Sequence, residues 1–78
     1  MDRVAMITKT VTFSFDPEAD AAYVGLRESR ERGDVARTRF CNIEMNDAAI
    51  NIDFDEGGRL VGFEILGARQ LLPPNLLQ

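Results

Sequence analysis

The side chains in this sequence best equipped for chemistry are carboxylates: Asp and Glu number 13, histidine is absent, and cysteine occurs once, as Cys41. Asp16-x-Glu18-x-Asp20 sets three oxygen ligands at alternate positions, the spacing that opens a calcium-binding loop. Such a loop needs glycine at its sixth position, where the chain turns, and a bidentate glutamate at its twelfth. Ala21 and Arg27 stand there instead. The motif therefore reads as a charged turn. Asp53, Asp55 and Glu56 form a second acidic group, which could join Asp16 and Asp20 around a divalent ion only if the strand ends met in space. Nucleophilic catalysis needs a base beside the nucleophile, and Cys41, Ser14 and Ser29 lack the usual histidine. A pair of carboxylates can share acid and base roles when burial separates their affinities for protons, yet no spacing marks such a pair. Gly57-Gly58 is too short for a phosphate cradle, and no dinucleotide or P-loop fingerprint is present. The expectation is no catalytic, cofactor-binding or metal-binding residue, and a function other than enzymatic.

These residues are carried by segments with strand periodicity. Val11-Thr-Phe-Ser-Phe15 alternates apolar and polar, placing Val11, Phe13 and Phe15 on one face of a half-buried strand. Residues 49–54 repeat the pattern with Ile50, Ile52 and Phe54, and residues 60–66 do so with Val61, Phe63 and Ile65. Asp55-Glu-Gly-Gly-Arg59 between them has hairpin-turn chemistry. Residues 35–43 predict a weaker strand, with Arg37 and Arg39 on one face and Thr38 and Phe40 on the other. The stretch 16–33 carries local helix signals: Asp16 as N-cap, Pro17 at the first position, arginines late and Gly33 as a stop. Ala22, Val24 and Leu26 also alternate as a strand would, and Gly25 weakens a helix by about 1 kcal/mol relative to alanine. The chain closes on Leu71, Leu72, Leu76 and Leu77 around Pro73-Pro74, which stops a helix, so a short helical turn before Pro73 and an extended end are expected.

Seventy-eight residues, 1–78, argue for a single domain at the lower limit of what one core supports. With one cysteine and no histidine, neither disulfides nor zinc can reinforce it. Self-association is the remaining common device, and a dimer is the first choice. Met1 to Ile7 is too short an apolar run for a signal peptide, no run approaches the ~20 residues of a membrane span, and a lone thiol fits a reducing compartment. A cytoplasmic protein with no membrane partner is expected. Of the nine basic residues, five (Arg27, Arg30, Arg32, Arg37, Arg39) fall in one stretch, diluted by Glu28, Glu31 and Asp34. This reads as a solvated surface segment. The net charge of −4 disfavours nucleic acid as a partner and suits a basic protein.

Phe15-Asp-Pro-Glu-Ala-Asp-Ala-Ala-Tyr-Val24, followed by Asn51-Ile-Asp-Phe-Asp-Glu-Gly-Gly-Arg-Leu-Val-Gly-Phe-Glu-Ile-Leu66, resembles a family of short bacterial proteins, the domain of unknown function 2283 family. The resemblance spans about Thr12 to Ala68. It implies a strand, a tight Asp-Pro-Glu-Ala-Asp turn and a second strand where local signals favour helix, with Asp16, Asp20 and Tyr23 as turn-capping and cross-strand residues. Cys41 to Asp47 is longer than that family's usual link between the third and fourth strands. The expected fold is then mainly β: a small antiparallel meander of about five strands with a short C-terminal helical turn. The alternative keeps a helix at 17–31 packed on a four-strand sheet. A sheet this small leaves an apolar face and two edges to cover, which face-to-face dimerisation aided by the leucine tail would do. The resemblance implies no reaction. The genomic company of such proteins, small toxin-like chains, implies an antitoxin-like interaction module. The competing expectation is a small enzyme or ligand binder whose site forms between subunits from Asp16, Asp20, Asp53 and Asp55.

Overall fold

The computed structural model describes residues 5–27, 34–45 and 47–78. Five antiparallel strands form one open sheet: β1 (Thr12–Asp16), β2 (Ala21–Gly25), β3 (Arg37–Met45), β4 (Ala48–Phe54) and β5 (Leu60–Leu66), followed by a one-turn helix α1 (Ala68–Leu71) and a 3-10 turn at Pro74–Leu76. Residues 21–25 are strand, so the helix expected from local signals over 17–31 does not form there; the rest of that stretch, 28–31, lies outside the described residues. Pairing decided the outcome. β2 lies between two neighbours, with Ala22 facing Phe15 on one side and Ile65 on the other, and this tertiary burial outweighs the local capping signals. The strand order β1-β2-β5-β4-β3 departs from a full meander. β1–β2 and β3–β4–β5 are each sequential, but the two pieces join through β2 and β5.

The turns follow from their side chains. Asp16 Oδ1 accepts the N–H groups of Glu18 (3.0 Å) and Ala19 (3.4 Å), and Asp20 closes the β1–β2 turn with φ 52°, a conformation aspartate tolerates better than most residues. In the β4–β5 turn, Asp55 Oδ1 accepts Gly57 and Arg59 N–H groups, each at 2.9 Å, while Gly58 supplies φ 82°. The long link noted at Cys41 to Asp47 is mostly strand. Its extra residues appear as a register shift between Asn42 and Met45, where Glu44 takes φ 59° and Asn42 Oδ1 accepts its N–H at 2.8 Å.

One face of the sheet is apolar: Phe13 and Phe15, Ala22 and Val24, Ile50 and Ile52, and Phe63 and Ile65 share it by register. The C-terminal segment straps one end of this face, where Leu71, Leu72 and Leu77 pack against Phe15, Ala22, Ile50 and Ile65 around the fully buried Ala68. Asp20 anchors the strap. Its carbonyl accepts both Gly67 and Ala68 N–H groups at 3.0 Å, and its Oδ1 accepts the Arg69 N–H at 3.0 Å and pairs with the Arg69 guanidinium at 3.3 Å. Arg69 also donates to the Pro17 carbonyl at 3.1 Å and lies over the Phe15 ring. Gly67, at φ 73°, turns the chain against Ala48, whose Cα would sit 3.2 Å from an added Cβ.

The Asp55 carboxyl is held below its ordinary value of 3.8, chiefly by the Arg59 backbone N–H, with the Arg27 guanidinium and Gly57 N–H adding to it against a smaller opposing loss of hydration. A carboxyl lowered in the folded state contributes stability above its unfolded value, and that stability is lost as pH falls through the lowered value. Asp55→Asn should therefore lose less stability than the native chain between pH 5 and pH 2, read as the shift of the urea midpoint across that range.

Candidate functional site

The opposite, polar face of the sheet holds the most organised side-chain constellation. Register sets Tyr23 of β2 beside Glu64 of β5, and Asp53 of β4 beside Gly62 of β5. Because Gly62 has no side chain, the Tyr23 ring crosses β5 at that point, and a Cβ added to Gly62 would lie 2.6 Å from the Tyr23 hydroxyl oxygen. The tyrosine hydroxyl then donates to Asp53 Oδ2 at 2.9 Å. Thr38 Oγ1 of β3 donates to Asp53 Oδ1 at 2.7 Å. Asp53 is only 8% exposed, the one buried charged residue among those described. Next in line, Asn51 Nδ2 donates to Glu64 Oε1 at 3.1 Å.

This arrangement satisfies the aspartate's two oxygens with two hydroxyl donors and ties β2, β4 and β3 together across β5. The two hydroxyl donors offset the cost of burying the carboxylate.

The acids singled out in the sequence are separated by the same geometry. Asp16 pairs across to Ala21 and, through Leu66, to Ala49, whereas Asp53 shares a row with Gly62, Gly25 and Thr12. Four residues of strand, about 13 Å, divide Asp16 from that row. Asp16, Asp20 and Asp55 are occupied as turn caps, strap anchor and partner of Arg27. Glu18 and Glu56 point to solvent. No group of three or more metal-ligating side chains occurs among the described residues. Cys41 is half-buried on β3 opposite Ile50, and Ser14 is exposed on β1. Arg27 pairs with Asp55, Arg37 and Arg39 lie on β3, and Arg30, Arg32, Ser29, Glu28 and Glu31 lie outside the described residues.

Thr38, Asn51 and Glu64 were not flagged by sequence reasoning, since a polar residue on an exposed strand face carries no sign of its cross-strand partner. Gly62 did carry one. A glycine inside a strand of β-formers marks a place where another group approaches closely.

The fold and this polar bracket define a single-layer antiparallel sheet whose apolar side is strapped at one end only. The chain belongs to the family described as protein of unknown function (DUF2283), whose sequence profile matches residues 12–69. The matched span begins at β1 and ends at Arg69, so it includes Tyr23, Asp53, Gly62 and the Asp20–Arg69 clasp. No curated protein and no solved structure matches.

Gly62→Ala should lower stability by about 2–3 kcal/mol, because the methyl meets the Val24 carbonyl of the neighbouring backbone as well as the tyrosine. Tyr23→Phe should cost about 1.5 kcal/mol, the value of a hydrogen bond to a charged acceptor at its lower end. Urea denaturation followed by circular dichroism measures both, and an unchanged midpoint for Gly62→Ala would contradict the placement of the Tyr23 ring.

Proposed function

We propose that this protein is a non-enzymatic, self-associating interaction module of the bacterial cytoplasm, antitoxin-like in that it binds another protein, and that a second copy covers its apolar face. A basic partner suits its net charge of −4. One observation carries the reading: none of the four phenylalanines of the apolar face, Phe13, Phe15, Phe54 and Phe63, is buried in the isolated chain. The buried apolar residues are alanines apart from Val61 and Ile65. Large aromatics ordinarily dominate a core, so this chain has one layer where folded domains have two.

Surface area supports the same reading. A compact monomer of 8.7 kDa exposes about 4,700 Å², whereas this chain exposes 6434 Å². Segment 5–11, all of it exposed, accounts for part of the difference of roughly 1,700 Å². The remainder is of the order of the ~800 Å² that each partner buries in a standard interface. The radius of gyration, 14.6 Å, likewise exceeds the ~11.5 Å of a compact domain of this length. Val11 (51% exposed), Phe13 (37%) and Leu26 (41%) form the part of the apolar side that the strap leaves open.

The described helices are too short to cross a membrane. Asp16, Asp20, Asp53 and Asp55 are each engaged in the turns, the strap or the polar bracket, which supports binding over a catalytic site built from them. The thermal midpoint should rise with concentration, by about 4 °C per tenfold for a folding-linked dimer of two such chains. Phe13→Asp should abolish that dependence while the far-ultraviolet dichroism of the sheet persists. A midpoint independent of concentration in the native protein would overturn the proposal.

A further inference from the structure

Beyond self-association, we propose that the free edge of β3 accepts an acidic, extended segment of a partner protein as a sixth strand, one that alternates carboxylate and apolar side chains. β3 is the longest strand, nine residues, and among the described residues only β4 pairs with it. Its unpaired edge offers backbone donors and acceptors to an incoming strand.

The side chains along this edge fix the chemistry of that strand. Arg37 and Arg39 stand two residues apart on the apolar side, opposite Phe54 and Ile52, and both are exposed. Neither forms an ion pair among the described residues, whereas Arg27 and Arg69 each do. The two line an open cleft of about 700 Å³ with Thr38, Phe54 and Gly58, and the Arg37 guanidinium lies 3.9 Å from where a Cβ on Gly58 would be. Arginines at alternate strand positions are about 7 Å apart, the spacing of carboxylates at alternate positions on a neighbouring strand. Each can take a carboxylate through two parallel hydrogen bonds. On the other side of β3, Phe40 is 64% exposed and gives the intervening apolar residue a ring to pack on.

At this edge the local charge of Arg37 and Arg39, set against the net charge of the whole chain, favours an acidic strand.

The probe is a fluorescein-labelled peptide alternating glutamate and valine, titrated by anisotropy into the full chain at low and high salt. A control peptide carries lysine in place of glutamate, and a second control is N-methylated at alternate amides. Saturable binding of the glutamate peptide is expected, weakened at least tenfold by Arg37→Glu/Arg39→Glu. That variant should instead bind the lysine peptide, which shows that it is folded. Loss of binding on N-methylation identifies strand addition. No binding of the glutamate peptide, equal binding to the variant, or undiminished binding of the N-methylated peptide would each overturn the proposal. The molar mass of the chain, measured alongside with and without peptide, separates failure of strand addition from failure of self-association.

Discussion

The crossing of the Tyr23 ring over Gly62 is the constraint on which the architecture rests. The sheet consists of two sequential pieces, a β1–β2 hairpin and a β3–β4–β5 meander, and they meet only where β2 runs beside β5. Gly62 leaves a gap in β5 at that seam. The tyrosine fills it and reaches Asp53 one strand further on, and Thr38 reaches the same carboxylate from β3. One buried carboxylate thus fastens both pieces. A side chain at residue 62 would separate the ring from its acceptor and push β2 away from β5 in the same motion.

With the polar face fastened by its own hydrogen bonds, the apolar face carries the remaining demand for burial. The Asp20–Arg69 clasp brings the C-terminal leucines over Phe15, Ala22 and Ile65, which gives that end of the sheet a core. The strap is short, with one helical turn before Pro73 ends it, so it cannot reach the far end. Val11, Phe13 and Leu26 at that end stay exposed in the single chain.

Strand patterning made much of this legible in advance. The 49–54/60–66 hairpin, its Asp55-to-Arg59 turn and the division of apolar from polar faces follow from alternation alone, because a half-buried strand repeats every two residues. The β2 strand did not. Ala21 to Gly25 carries helix-compatible residues after a proper N-cap, and only the neighbours it meets on both sides make it a strand; the family resemblance supplied what local propensity lacked. The strand order was hidden for a related reason, since pairing of β2 with β5 depends on what fills the gap at Gly62. Asp53 was noticed in the sequence as a potential ligand, and the structure gives it hydroxyl partners instead, a pairing that spans 30 residues to Tyr23 and 15 to Thr38 and leaves no local trace.

The most direct measurement is the molar mass in solution by light scattering, on purified protein from micromolar to hundreds of micromolar. The account predicts twice the 8.7 kDa of one chain over the upper part of that range, with dissociation on dilution. A mass of one chain at every concentration, with the fold intact, would contradict it.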